Sequence, residues 1–294
     1  MASTPKVVCD YGNHTGEGPI WHPDEAALFW VDIPAGALYR YDPETGEHSE
    51  VYRTSLLGGF TVQADGNLLL FEDRGTVEVL DRETLTTETV VAETDPDYRF
   101  NDVVAAPGGA VFCGTMHPEH HDGTLYRLDT DGSLHAVEED VQLTNGLAFS
   151  PDRSTLYYTE STAHRISRYD YDESTGEISG RETLVETDPD DGIPDGLTVD
   201  ETGDLWSARW DGGCLVRYDP DGFEVERVSF PARKVSAVTF GGPDYETAFV
   251  TTALGPADGP KRSKEQEGDG AGALFRVDLG VGGRPEFRSR VGLE

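Results

Sequence analysis

The chain has 294 residues, of which 36% are hydrophobic, and its 56 Asp and Glu against 23 Lys and Arg give a net charge of −33 at pH 7. This acidity excludes nucleic acids and anionic membrane surfaces as partners, because both are bound through clustered Lys and Arg. No apolar run is long enough to span a bilayer and the N-terminal residues lack a signal-peptide pattern, so we expect a cytoplasmic protein.

The first predicted element is a short strand in residues 6–12, KVVCDYG, and the residues after it predict four strands joined by turns. These four strands cover residues 17–21, 27–32, 36–42 and 48–53, with Asp, Gly and Pro between them. Alternating stretches of this length, separated by turn residues, are typical of antiparallel strands joined by hairpins.

The same group of four strands recurs along the chain. One alternating pattern appears as GALYRYD at 36, GTVEVLD at 75, GTLYRLD at 123, HRISRYD at 164, GCLVRYD at 213 and GALFRVD at 272. A second pattern precedes each copy, as EGPIW at 17, GGFTV at 58, NDVVA at 101, NGLAF at 145, DGLTV at 195 and SAVTF at 236. Six periods of about 40 to 50 residues, each with four strands, predict an all-β, six-bladed β-propeller that forms one domain over residues 1–294.

The last predicted blade includes two segments that differ from the repeats. Residues 6–12 are expected to close the ring by adding an outer strand to this blade. The polar, Gly-rich stretch 255–272 lies inside it, and its composition predicts a mobile loop without a functional role. Cys9, Cys113 and Cys214 are odd in number and far apart, so we expect them to be core residues, not disulfides or a thiolate metal site.

The first residue of the second pattern changes between repeats in a way that packing does not require. In a propeller whose inner strands carry this pattern, the six positions form a ring around one mouth of the central channel. They are Glu17, Gly58, Asn101, Asn145, Asp195 and Ser236. Asn-Gly and Asp-Gly are also ordinary turn dipeptides, but two carboxylates and two carboxamides in register favour a site for a hard divalent cation such as Ca²⁺, Mg²⁺ or Mn²⁺.

A second group of candidate ligands lies in one predicted loop. His117, His120 and His121 belong to the stretch GTMHPEHHDG, and a His-rich tract can bind zinc. Because this stretch falls between strands of the third blade, we interpret it as a solvated loop.

Five stretches of the chain together resemble the regucalcin/gluconolactonase family. They are EGPIWHPDEAALFWVDI at 17–33, RFNDVVAAPGGAVFCGTM at 99–116, NGLAFSPDRSTLYYTES at 145–161, PDGLTVDETGDLWSARWDGG at 194–213 and VTFGGPDYETAFVTTA at 238–253. The resemblance covers residues 6–283 and implies a six-bladed propeller that hydrolyses sugar lactones with one divalent cation.

The resemblance also implies a metal site. Glu17 of the EGP motif, Asn145 of NGL and Asp195 of PDGL match the family's metal ligands, and Asp195 also matches its proposed general base. A carboxylate beside the cation can take a proton from the attacking water.

Substrate-binding residues follow from the same resemblance. Arg99 and Asn101 of RFND match substrate-binding positions, and Glu119 matches an acidic substrate-contacting position of some members. The chain departs from the family pattern at Val103, where Gly is common, and at Glu160, where an Asp usually precedes Ser or Thr. Neither departure removes a ligand, but both bear on the shape of the substrate.

These observations predict a metal-dependent hydrolase that opens a sugar lactone to the aldonic acid, with a pentonolactone slightly preferred over a hexonolactone. We expect Ca²⁺ as the cofactor, with Mg²⁺, Mn²⁺, Zn²⁺ or Fe²⁺ as alternatives. The expected partner is a small-molecule lactone, and the expected state is a monomer or weak homo-oligomer. Two other functions stay open: an aryl-ester or organophosphate hydrolase of related propeller type, and a non-catalytic calcium-binding propeller.

The acidic residues are distributed evenly, with 27 in residues 1–147 and 29 in residues 148–294. A uniformly acidic surface repels itself at low ionic strength and is best tolerated where salt screens it. We interpret this surface as an adaptation to a salt-rich cytoplasm, with an ordinary acidic protein as the alternative.

Overall fold

The computed structural model describes residues 2–94 and 96–293, in which six four-stranded antiparallel sheets are arranged as the blades of a propeller. The predicted all-β, six-bladed fold is therefore confirmed. In the first blade, the predicted strand ends agree with the observed ones to within one residue.

The strands are numbered in chain order, and within each blade the strand nearest the channel comes first. The chain begins with β1 (Lys6–Asp10). Blade 1 contains β2 (Gly16–His22), β3 (Ala27–Asp32), β4 (Ala37–Tyr41) and β5 (His48–Arg53). Blade 2 contains β6 (Leu57–Val62), β7 (Leu68–Glu72), β8 (Val77–Leu80) and β9 (Thr87–Val91). Blade 3 contains β10 (Arg99–Ala105), β11 (Val111–Met116), β12 (Asp122–Leu128) and β13 (Leu134–Gln142).

The second half of the chain repeats this order. Blade 4 contains β14 (Thr144–Phe149), β15 (Thr155–Glu160), β16 (Arg165–Asp172) and β17 (Glu177–Glu186). Blade 5 contains β18 (Ile193–Val199), β19 (Leu205–Trp210), β20 (Cys214–Tyr218) and β21 (Glu224–Ser229). Blade 6 contains β22 (Lys234–Gly241), β23 (Thr247–Ala253) and β24 (Ala273–Val277), with β1 as its outer strand.

The ring is closed by the start of the chain, as predicted. Strand β1 pairs antiparallel with β24, with Lys6 opposite Arg276 and Asp10 opposite Ala273. Blade 6 is thus built from both ends of the sequence, which ties the first blade to the last and leaves the inner strands in a closed circle.

Apolar side chains between neighbouring blades form the core. Phe29 of blade 1 packs in one cluster with Phe60 of blade 2, and Phe112 of blade 3 packs with Phe149 of blade 4. The inner two strands of each blade are buried on both faces because a blade lies on either side, whereas the outer strands β5, β9 and β21 are largely exposed. The three cysteines are buried and free, in agreement with the sequence prediction.

Helices are short and few in the described residues. They are a 3-10 turn (Pro189–Asp191) and α1 (Lys264–Glu267). No helix in these parts of the chain is long and apolar enough to cross a membrane.

The segment 255–272, expected to be a mobile loop without a role, is anchored to the propeller. It contains α1, and Glu267 at the end of this helix is only 1% exposed. Glu267 Oε2 accepts a hydrogen bond of 2.8 Å from Lys234 Nζ, and its other carboxylate oxygen is 2.9 Å from Arg262 Nη1. The composition does not reveal this anchor, because the segment is polar and rich in glycine and its buried ion pairs depend on residues elsewhere in the fold.

Candidate active site

Each inner strand is irregular at the position that the repeats align. Pairing with the neighbouring strand shifts register after Glu17 in β2, around Asn101 in β10, after Asn145 in β14 and around Asp195 in β18. A β-bulge bends the strand and re-aims the adjacent side chains. The bulges therefore let these four side chains face the channel mouth, while the rest of each strand keeps its pleat.

A cavity of about 210 Å³ lies at this mouth and is lined by Glu17, Asn101, Asn145 and Asp195. Pockets for drug-sized ligands usually measure about 300–1,000 Å³, so this cavity suits a small substrate. The four residues are contributed by four different blades, so the propeller brings together side chains that are far apart in the sequence.

The other two ring positions serve the fold. Ser236 Oγ donates a hydrogen bond of 2.5 Å to the carbonyl oxygen of Gly16 and so joins blade 6 to blade 1. At Gly58, a Cβ atom would lie 2.1 Å from the carbonyl oxygen of Phe100, so only glycine fits there.

A chain of hydrogen bonds runs through the polar residues of the cavity. Arg99 Nη1 donates to Asn101 Oδ1 at 2.7 Å, and Asn101 Nδ2 donates to Asn145 Oδ1 at 2.8 Å. Asn145 Nδ2 donates to Ser161 Oγ at 2.8 Å, and Ser161 donates to the carbonyl oxygen of Pro194 at 2.6 Å. The last acceptor precedes Asp195 directly, so one network orients residues from blades 3, 4 and 5.

This network fixes what each amide can offer to a ligand. Asn101 Nδ2 also donates to the carbonyl oxygen of Thr144 at 2.7 Å, so both of its amide hydrogens are used and only an oxygen lone pair remains. Asn145 Oδ1 accepts one hydrogen bond and keeps one lone pair. Both residues therefore present an acceptor oxygen, to a hydroxyl or to a cation.

The two carboxylates among the six aligned positions, Glu17 and Asp195, both have raised pKa values. Burial raises the pKa of Asp195, and the Glu17 and Asp102 carboxylates raise it further. Burial also raises the pKa of Glu17, with Asp102 adding to the effect. Neither carboxylate forms an ion pair with a basic side chain among the described residues.

These observations test whether the residues suit a divalent cation. Two buried carboxylates that lack an ion-pair partner are costly to keep ionised in a desolvated site, and a cation bound by both of them reduces that cost. The described residues contain no cluster of three or more His, Cys, Asp or Glu that could hold a metal. The donor set Glu17, Asn145 and Asp195 is instead two carboxylates and one amide, all of them hard oxygen donors, and it fits such a cation.

Arg99 lies at the edge of the cavity and is almost fully hydrogen-bonded. Its side chain is 5% exposed and its Nη2 lies 3.2 Å from Asp258 Oδ2. Nε donates to the other oxygen of Asp258 at 3.4 Å, and Nη1 donates to the carbonyl oxygen of Phe100 at 3.0 Å as well as to Asn101. Four of its five N–H groups are thus engaged, and one Nη2 hydrogen remains for a ligand.

The structure does not bring Glu119 into the cavity. Its side chain is exposed, because the turn 117–121 points it outward: the backbone nitrogen of Glu119 donates to His117 Nδ1 at 3.1 Å, and that of His121 donates to the His117 carbonyl. The residue of this loop that lines the cavity is His121, whose buried Nδ1 has no hydrogen-bond partner in the described structure. Interpreting the whole tract as a solvated loop missed this residue.

The two departures from the family pattern lie away from the cavity. Val103 is buried between blades 2 and 3, where its Cγ2 would lie 3.0 Å from a Cβ atom at Gly59. Glu160 is 2% exposed and accepts a hydrogen bond of 2.9 Å from Arg165 Nε. Neither residue lines the cavity, so neither changes the shape of the substrate site by direct contact.

Apolar side chains complete the walls and were not identified from the sequence. Trp210, Met116, Ile33 and Leu143 line the cavity together with Ala257 of the anchored segment. Each of them ends a strand or follows one, so their common position at the mouth depends on the closed ring and is not visible in local spacing.

Comparison with known proteins agrees with this geometry. Residues 15–254 match the SMP-30/gluconolactonase/LRE-like region. The pentonolactonase XacC of Haloferax volcanii is 51% identical to the chain over 288 residues, covering 97% of this chain and 98% of that protein. Regucalcin of Xenopus laevis is 34% identical over 279 residues, covering 91% and 92%. The crystal structure of a calcium-binding protein, regucalcin, from Agrobacterium tumefaciens matches with a TM-score of 0.90 at 26% identity, over 98% of each chain.

Three comparisons thereby confirm the family that the motifs indicated. The family region covers most of the chain, the relatives align over nearly their full length, and the fold is shared. This chain belongs to the SMP-30/gluconolactonase/LRE-like family.

Proposed function

We propose that this protein hydrolyses a sugar lactone to the aldonic acid with the help of one bound divalent cation, and that it prefers pentonolactones to hexonolactones. Membership of the family supports the lactone class, and the 51% identity to a pentonolactonase supports the pentose preference. The observation that carries the proposal is that Glu17 and Asp195, two buried carboxylates without an ion-pair partner among the described residues, line one small cavity with an oriented amide.

The cation would be held by Glu17, Asn145 and Asp195. When bound, it would supply Lewis-acid polarisation of the lactone carbonyl and stabilise the negative charge that develops on its oxygen. Ca²⁺ is our first assignment because all three donors are oxygens, and Mg²⁺ and Mn²⁺ share that preference. Zn²⁺ and Fe²⁺ are weaker candidates, since the set offers no nitrogen or sulfur.

Asp195 is the proposed general base. Ring opening requires a water molecule that loses a proton as it attacks the carbonyl, and a carboxylate at hydrogen-bond distance from that water can accept the proton. No covalent nucleophile is needed for this reaction.

Arg99 and Asn101 are the proposed substrate-binding residues. The free Nη2 hydrogen of Arg99 can donate to a ring oxygen or hydroxyl, and Asn101 Oδ1 can accept from a hydroxyl. Trp210 offers an apolar face against which the C–H groups of a sugar ring can pack. A small, hydroxyl-rich and uncharged molecule matches these contacts.

The test is a panel of pentonolactones and hexonolactones, an aryl ester and a phosphotriester, assayed by acid release in molar KCl with saturating Ca²⁺. We expect kcat/KM to be highest for a pentonolactone. Preferential hydrolysis of the aryl ester or the phosphotriester would contradict the proposed substrate class. Tight Ca²⁺ binding without turnover of any lactone would identify a non-catalytic calcium-binding propeller instead.

A further inference from the structure

The segment 255–272 places a carboxylate directly over the basic residue of the cavity. Asp258 lies against Arg99, with both of its oxygens facing the guanidinium at 3.4 and 3.2 Å. The two residues are 159 positions apart and come from blades 6 and 3. The Asp258 side chain is 19% exposed and that of Arg99 is 5% exposed, so solvent screens this pair only in part.

The backbone holds Asp258 in this place. The nitrogen of Gly255 donates to the carbonyl oxygen of His14 at 3.0 Å, and Thr15 Oγ1 donates to the carbonyl oxygen of Gly255 at 2.8 Å. Arg262 N closes the loop by donating to the carbonyl oxygen of Leu254 at 2.8 Å. Asp258 therefore lies in a short loop whose base is fixed to His14 and Thr15, directly before the strand that carries Glu17.

The pair has a consequence for the charge of the cavity. Arg99 is the only Lys or Arg among the residues that line the cavity in the described structure. A carboxylate is the ligand that a guanidinium fork binds best, through two parallel hydrogen bonds. Asp258 already occupies that fork, so a second carboxylate entering the cavity finds neither a free fork nor a net positive charge.

We propose that Asp258 is a specificity-determining residue that neutralises Arg99, so that the site accepts an uncharged lactone and releases the anionic aldonate. The inference rests on the proposed lactonase function, because that reaction turns a neutral substrate into a carboxylate. In hydrolysis the water oxygen bonds to the carbonyl carbon and the ring C–O bond breaks, which leaves a carboxylate, a hydroxyl group and a proton at neutral pH. Without Asp258, the Arg99 fork would retain this product.

The test compares Asp258→Asn with wild type. Asparagine keeps the volume and one acceptor oxygen but removes the charge, so Arg99 stays in place with its positive charge uncompensated. We expect the inhibition constant of potassium D-xylonate to fall by about tenfold or more, the size typical of unbalancing a partly buried charge pair. The KM for D-xylonolactone should change by less than about threefold, because an uncharged ligand does not sense this charge directly.

Two controls separate charge from structure. Asp24→Asn removes a carboxylate that is likewise paired with an arginine, Arg288, at 2.7 and 2.8 Å, but at the far end of β2 from Glu17, and it should leave both constants unchanged. In an Arg99→Met background, adding Asp258→Asn should raise D-xylonate affinity by a smaller factor than in wild type, because the positive charge that it unmasks is absent and only direct repulsion by Asp258 is removed.

The readouts keep this inference distinct from the proposed function. D-xylonate affinity is also measured by calorimetry, so it can be compared even if no lactone is hydrolysed. An Asp258→Asn protein that binds D-xylonate no more tightly than wild type would overturn the proposal. Equal changes in the inhibition constant and in KM would overturn it too, since they would reduce Asp258 to a group that merely positions Arg99.

Discussion

Asp195 is assigned two roles, cation ligand and general base, and one substitution separates them. Asparagine keeps a ligand oxygen and nearly the same volume but removes the carboxylate that accepts the proton. We expect Asp195→Asn to lower kcat by about 10²-fold or more at saturating Ca²⁺, the share typical of a positioned base. The Kd for Ca²⁺, measured by calorimetry, should rise only modestly.

Asp195→Ala serves as the matched comparison, because it removes both the base and the ligand and should lose cation binding together with activity. If Asp195→Asn instead retained near-normal kcat, Asp195 would be a ligand only, and the water would lose its proton without a protein base.

Ser161 contacts no carboxylate of the site, yet it connects Asn145 to the backbone beside Asp195. Groups that orient metal ligands typically contribute 10- to 100-fold to metal affinity. We expect Ser161→Ala to raise the Kd for Ca²⁺ by about tenfold, at the low end of that range. The neighbouring Thr162 donates its hydroxyl to Gln142 at 3.3 Å and to none of Glu17, Asn145 and Asp195 in the described structure, so Thr162→Ala should have no effect. Equal effects of the two substitutions would show that Ser161 does not orient the metal ligands.

Among the elements, the inner strands were predictable and the loops were not. The repeats align Glu17, Asn145 and Asp195 in register, and closure of the ring then brings them to one mouth, so their common location follows from periodicity. Asp258 has no equivalent in another repeat, and its partner Arg99 is 159 positions away. No local pattern encodes such a contact.

The loop between β11 and β12 shows a second limit. The resemblance to the family pointed to Glu119, but His121 lies in the left-handed region at φ 60° and is the residue of this turn that lines the cavity. The conformation of a five-residue turn is set by its own hydrogen bonds, and residue counting does not reproduce it.

The anchor of the 255–272 segment gives a prediction for stability. Lys234 and Glu267 are 2% and 1% exposed, and breaking a buried ion pair by removing one charge typically costs about 3–5 kcal/mol. Lys234 also bonds to Asp211. We therefore expect Glu267→Gln to lower the free energy of unfolding by only about 2–3 kcal/mol, measured by denaturant titration.

Glu265→Gln is the control, since Glu265 lies in the same helix, carries the same charge and is exposed. A Glu267→Gln protein as stable as Glu265→Gln would show that the ion pair does not anchor the segment.

The molecule as a whole carries a net charge of −33, spread over both halves of the chain. The Debye length falls from about 10 Å at 0.1 M salt to about 3 Å at 1 M, so molar salt screens the repulsion between surface carboxylates. We expect the Tm to rise by at least about 5 °C between 0.1 M and 2 M KCl. A Tm that does not depend on KCl would favour the alternative interpretation, an ordinary acidic protein that is not adapted to salt.

Metal-dependent lactone hydrolysis is tested by the rate of pentonolactone hydrolysis as a function of free Ca²⁺, after chelation and verified removal of all metal in molar KCl. We expect activity to disappear on metal removal and to return on titration with one equivalent of Ca²⁺ per chain. Glu17→Gln should require a higher Ca²⁺ concentration for the same recovery. Full activity in the verified metal-free protein would contradict the proposed metal dependence.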